Sequence, residues 1–184
     1  MPQFDVELWK TRATARFTKA CAAGVKTAGR NLHRDLAAID ALEAVIGWCA
    51  SRQVDVVFSR RPNGLYESGD EKTRSRITLN GRLSPESQLF VLLHECGHHL
   101  IGDRKPNQRF GNGWHAADGA AKRTLLHRVD IIDEELEAWH RGWNLAKRLR
   151  IKVNLGRYNE ARARYVKTYL QWAAKASEKR SGDG

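Results

Sequence analysis

The sequence predicts an α+β fold in which a short antiparallel sheet packs on helices, with a His-Glu-x-x-His helix at the centre. Three observations carry this. Apolar residues recur every three or four positions over long stretches, the period of amphipathic helices. Between residues 54 and 79 the pattern changes to short β-branched and aromatic runs separated by turn residues. No internal repeat or Ser/Pro-rich linker divides the 184 residues, a length that suits one domain with a substantial core. Residues 1–177 are therefore expected to form a single domain with a basic helical lead, and 178–184 a disordered tail.

In chain order, an Ala-rich basic helix is expected over 6–25 and a second over 32–51, with Gly24 and Gly29 marking the break. Leu32, Leu36, Ile39, Leu42, Ile46, Cys49 and Ala50 form the apolar stripe of the second. Val54 to Phe58, Leu65 to Glu67 and Arg76 to Leu79 read as strands, and Arg61-Pro62-Asn63-Gly64 as a turn. The short connections predict antiparallel pairing. Ser84-Pro85-Glu86 is a helix start, with Ser as N-cap, Pro at the first helical position and an acid in the first turn. Gly102 supplies the stop. Residues 103–127, rich in Gly, Asn, Pro and Ala, read as a long excursion, and helices resume over 129–150 and 155–177.

Composition narrows the function classes. Three scattered cysteines, Cys21, Cys49 and Cys96, make neither a disulfide framework nor a CxxC zinc ribbon, and they suit a reduced, cytoplasmic chain. The longest apolar run, Leu89 to Leu93, is far short of a bilayer span, so no membrane insertion is expected. The net charge of +11 points to an anionic partner, nucleic acid or an acidic protein. That charge is uneven. Lys10 to Arg34 and Arg141 to Lys167 are strongly basic, whereas Asp130, Asp133, Glu134, Glu135 and Glu137 crowd into eight residues.

The chemistry-bearing motif is His94-Glu95-Cys96-Gly97-His98. At about 100° per residue the two histidines lie about 40° apart on one helix face, where two imidazoles can share a metal. Glu95 falls beside them, placed to take a proton from an activated water. Leu89, Leu93, Cys96 and Leu100 occupy the opposite, core-facing side, while His99 points away from the pair. A catalytic zinc site usually has three protein ligands. The extension with a third His downstream is excluded, because Ile101 and Arg104 stand at its Gly and His positions. The acidic cluster is the natural source instead. On a helical wheel Asp130, Asp133, Glu134 and Arg141 fall within about 60° of Glu137, opposite an apolar face of Leu136, Trp139 and Trp143. His115 in the excursion is the other candidate ligand.

The run from Leu89 to His98, followed by Glu134-Glu135-Leu136-Glu137-Ala138-Trp139, resembles the ImmA/IrrE family of small zinc metallopeptidases found in bacteria, phages and mobile elements. The order is similar too: a helical lead, a small sheet, the active-site helix, then a Glu-Ala helix. The resemblance spans about residues 32–150. It implies a zincin-like metallopeptidase domain in which Zn2+ is held by His94, His98 and the Glu preceding Ala, here Glu137, a gluzincin-like set. Glu95 is then the general base, and Glu134 the fallback ligand or an outer partner. The chain departs from the family's pattern at Gly102, where another His is frequent, and at Trp139-His140-Arg141-Gly142 in place of Asn-x-Phe-Ala.

The implied function is zinc-dependent hydrolysis of peptide bonds in a protein substrate, with a regulator as one candidate. An extended substrate is expected to pair with the strand at Arg76 to Leu79. Tyr66, His115, His127, His140 and Tyr158 are the candidate oxyanion donors. The alternative is a basic, DNA-associated regulatory module with a structural metal, in which the basic end segments bind nucleic acid. A hybrid, a SprT-like protease acting on DNA-bound proteins, would use His115 as third ligand.

Overall fold

A computed structural model describes residues 5–60, 64–69, 73–102, 110, 113 and 124–181. Its elements, in order, are α1 (Val6–Ala22), α2 (Ala28–Ser51), β1 (Val54–Ser59), β2 (Leu65–Glu67), β3 (Ser75–Asn80), α3 (Pro85–Gly102), α4 (Leu125–Arg148) and α5 (Leu155–Ser181). The α+β expectation holds: a three-stranded sheet packs on helices and α3 runs through the middle. α3 touches α2, α4, α5, β2 and β3.

Each helix begins or ends for a local reason. Asp5 accepts from Leu8 N (2.9 Å) at the start of α1, Ser84 Oγ accepts from Ser87 N (3.3 Å) at α3, and Thr124 accepts from His127 N (3.1 Å) at α4. The Thr124 cap starts α4 four residues before the expected position. α2 buries Ile39, Leu42 and Cys49 of the expected stripe together with Ala38 and Val45, while Leu32, Leu36 and Ile46 are half-buried and Ala50 is exposed. α5 continues to Ser181, into the segment expected as a tail, and 182–184 lie outside the described residues.

The sheet is mixed rather than wholly antiparallel. Its order is β1-β3-β2, with β1 parallel to β3 (Val54 opposite Ser75) and β2 antiparallel to β3 (Leu65 opposite Thr78). β3 takes the centre because it carries the buried run Ile77, Thr78 and Leu79, whereas Leu65 and Glu67 of β2 are exposed. Both edges of β3 are therefore occupied, so a substrate strand cannot pair there as expected. The edge beside α3 belongs to β2.

The core gathers Leu42, Val45 and Cys49 of α2, Val54, Ile77 and Leu79 of the sheet, and Leu89 to Leu93 of α3. Trp139, Leu145 and Tyr158 close it from α4 and α5. Cys96 is fully buried, its Sγ 3.4 Å from that of Cys49, and it packs as a small apolar residue as expected. Two glycines let α3 and α4 meet backbone to backbone. A Cβ on Gly97 would be driven into the Ala138 carbonyl, and one on Gly142 into the Leu93 carbonyl. The helices are thus antiparallel, and the Gly within the His-Glu-x-x-His motif is what allows the approach.

Several basic side chains pair with acids of the same chain at its surface. Lys10 pairs with Asp40 (2.8 Å), Arg16 with Asp35 (3.9 Å), and Arg157 with Glu86 (2.6 Å). Among the described residues no helix is long and apolar enough to cross a membrane.

Candidate metal centre

α3 presents His94, Glu95 and His98 to a cavity of about 620 Å³ walled by β2, α4 and α5. The two imidazole rings stand 4.7 Å apart at 80°. His94 is stacked on Trp139 (4.6 Å, 25°), which the Gly97 and Gly142 approach brings against the motif. Tyr158 donates to the Trp139 carbonyl (2.9 Å), fixing the α4 backbone at that level.

The carboxylate that meets both histidines is Glu135. Its Oε2 lies 3.2 Å from His94 Nε2 and its Oε1 3.5 Å from His98 Nε2. Glu134 Oε1 lies 3.5 Å from the other ring nitrogen of His98, Nδ1. Glu137, the carboxylate that the family resemblance implied, is elsewhere: its Oε1 accepts from Arg141 Nε (2.9 Å). The physical reason is visible one turn on. Arg141 also donates to the Leu100 carbonyl in the last turn of α3, and it holds Glu137 on that side of α4. His115 lies outside the described residues, as does most of the excursion, though Phe110 is buried in a small cluster with Ile101 and Ala138.

These residues fit a metal ion. One ligand atom each from His94, His98 and Glu135 lie within 4.8 Å of one another. A tetrahedral site with bonds of about 2.0–2.2 Å has edges of roughly 3.3–3.6 Å, which the two Nε2···O separations approach. Glu134 Oε2 is buried without a hydrogen-bond partner among the described residues, and Glu135 Oε2 has His94 Nε2 beside it, so a cation between these groups would satisfy oxygens that burial keeps from water. In the metal-free protein the electrostatics run through the same contacts. Burial alone would lower the His98 pKa, but Glu134 and Glu135 outweigh it and hold the imidazole at about 10. Burial would raise Glu135, and His94 and His98 pull it down to about 2.

Glu95 sits beside the histidines, buried under β2. Burial pushes its carboxyl above the usual range, offset in part by His94 and His98 and by the backbone N–H of Tyr66. The chain entering β2 passes so close that a Cβ at Gly64 would lie 2.7 Å from Glu95 Oε1. Of the expected oxyanion donors, Tyr66 lines the cavity with its hydroxyl against His99 Nδ1 (3.2 Å). Tyr158 is spent on Trp139, His127 packs against Trp172 at the start of α4, and His140 is exposed beside Asn144. His99 is a wall residue, edge-on to Trp48.

The family model for the IrrE N-terminal-like domain, Peptidase_M78, matches residues 49–158, more than half of the chain. The chain belongs to the Peptidase_M78 family. No curated protein and no solved structure matches it. Membership makes this a member of a peptidase family, with protein as the implied class of substrate. The Peptidase_M78 segment runs from the end of α2 to the start of α5, so it contains the sheet, α3 and α4 but neither α1 nor most of α5. Two cavity residues were missed from the sequence. Glu135 lies within the segment, and Tyr169 lies outside it.

Proposed function

We propose that the protein is a zinc-dependent endopeptidase whose ligands are His94, His98 and Glu135 and whose general base is Glu95. The observation that carries this reading is the convergence of Nε2 of both histidines on the buried Glu135 carboxylate, with Glu95 adjoining in the same cavity. A zinc ion held there would supply a Lewis acid that acidifies water and polarises the scissile carbonyl.

The chain's own residues do the rest. Glu95 takes the proton of the attacking water and passes it to the leaving amine, a two-way role suited to a carboxyl whose burial raises its pKa. β2 aligns the substrate. It is an edge strand, and Leu65, Tyr66, Ser68 and Gly69 line the cavity, so an extended peptide pairing with its outer edge passes over Glu95. Glu134 accepts from His98 Nδ1 and so keeps Nε2 turned to the Glu135 side.

Metal analysis tests this directly. Wild type should carry one zinc and His94→Ala none, while Glu95→Gln should keep zinc and lose cleavage of a peptide library read by mass spectrometry. A metal-free wild type, or an active Glu95→Gln protein, overturns the reading.

A further inference from the structure

α5 lies mostly beyond the Peptidase_M78 segment, yet it reaches the metal centre. Tyr158, Ala161, Tyr165, Tyr169 and Trp172 recur every three or four residues, a stripe at helical period. The stripe docks on α4 in a readable register. Tyr158 and Tyr165 pack on Trp139 with ring centroids 5.2 and 5.7 Å away. Trp172 meets His127 (6.2 Å), and Arg128 donates to the Ala173 carbonyl (3.1 Å). α5 therefore runs antiparallel to α4, and Tyr169 falls level with the stretch between His127 and Trp139, where Glu135 stands. Its side chain lines the cavity with His94, Glu95 and His98, and its hydroxyl hydrogen-bonds the Glu135 side chain. A phenol is protonated at neutral pH, so against a carboxylate it is the donor.

We propose that Tyr169 is a positioning residue of the metal centre: its hydroxyl donates to the Glu135 carboxylate and fixes how that carboxylate faces His94 and His98. The proposal rests on the reading of His94, His98 and Glu135 as ligands. A carboxylate turns about its last torsion and can offer one oxygen or both. A donor anchored on one oxygen selects the orientation before the metal arrives, and loss of such outer partners typically weakens metal binding about 10- to 100-fold. It follows that the helix beyond the family segment is part of the site.

Zinc alone is the probe. Its Kd is measured by competition with a chromophoric chelator for wild type, Tyr169→Phe, Glu135→Gln and the double variant, alongside the absorption spectrum of the cobalt-loaded proteins. Tyr169→Phe should bind zinc about 10- to 100-fold more weakly, shift the cobalt bands and leave the metal-free Tm unchanged. The double variant should bind no more weakly than Glu135→Gln alone, because Tyr169 acts through Glu135. A Tyr169→Phe Kd equal to wild type, or a loss that adds in full to that of Glu135→Gln, overturns the proposal while leaving the ligand assignment intact. A wild type that binds no zinc overturns both. Should Tyr169→Phe lower the metal-free Tm, Tyr169→Leu, which has no donor, provides the second variant: a similar zinc loss supports the donor role, and wild-type affinity overturns it.

Discussion

Replacing Glu135 by Gln should abolish tight zinc binding, whereas the same change at Glu137 should leave the affinity within about twofold. Glu135 is 3% exposed and stands against both histidine Nε2 atoms, so its charge has no water to replace it. Breaking a buried charge pairing of this kind costs about 3–5 kcal/mol. At 1.4 kcal/mol per decade the lower part of that range is a zinc Kd raised about 10²- to 10³-fold. Glu137 instead forms a partly exposed i,i+4 pair with Arg141, worth roughly 0.3–0.5 kcal/mol.

The assay is thermal unfolding at a fixed free zinc concentration well above the wild-type Kd. Loss of two to three decades of affinity removes about 2.7–4.1 kcal/mol of ligand stabilisation. For a chain of this size that lowers the zinc-loaded Tm by roughly 5–15 °C. Glu137→Gln should shift it by about 2 °C or less in the presence or absence of zinc. Zinc stabilisation that survives in Glu135→Gln and vanishes in Glu137→Gln would refute the geometric argument and restore the ligand that the family resemblance implied.

The close approach of α3 and α4 predicts that Gly97→Ala destabilises the metal-free protein by about 3 kcal/mol or more, since two backbones must part to admit the methyl. That is a Tm fall of roughly 6–12 °C, while Gly102→Ala, with nothing within 4 Å of the new carbon, serves as the neutral control. Equal melting temperatures for the two would remove the packing argument. The metal-free protein should also show a pH optimum of stability. Glu135 contributes above the unfolded value of 4.5 and loses its contribution as pH falls toward 2; His98 contributes below 6.5 and loses its contribution as pH rises toward 10. The Tm plateau is therefore expected between about pH 4.5 and 6.5. Because zinc must displace the His98 proton, its affinity should rise with pH, with about one proton released per zinc in calorimetry at pH 8; an affinity independent of pH from 6 to 8 would contradict the coupling.

Much of the fold was legible because helical period and capping are local. The Ser84 cap and the Leu89 and Leu93 stripe placed α3 from Pro85 to Gly102 almost to the residue. Sheet order is not local. Nothing in the connection lengths says that β3 inserts between β1 and β2, and the deciding fact, three consecutive buried residues in β3, is a property of what covers it. For the same reason the open edge beside α3 belongs to β2 and not to β3.

The sequence put Glu137 forward as a ligand, whereas the structure brings Glu135 to the two histidines, and the difference has a physical basis. The acidic face of α4 drew attention because Asp130, Asp133, Glu134 and Glu137 cluster on a helical wheel, but of these only Glu134 is buried, at the border with the apolar face. Glu135 lies about 160° from Glu137 and about 40° from Trp139, on the face that the apolar residues mark for burial. Ile131, Glu135, Ala138, Trp139 and Gly142 run along that face, and Glu135 is the one acid among them. A carboxylate is tolerated in such a stripe only where a cation or a pair of imidazoles meets it, because an unpartnered buried charge costs more than a helix of this size can supply. The same reasoning applies to α5, where Tyr169 is a polar tip within an aromatic stripe. On an amphipathic helix the informative polar residue is the one that interrupts the apolar face, and both of the residues missed here are of that kind.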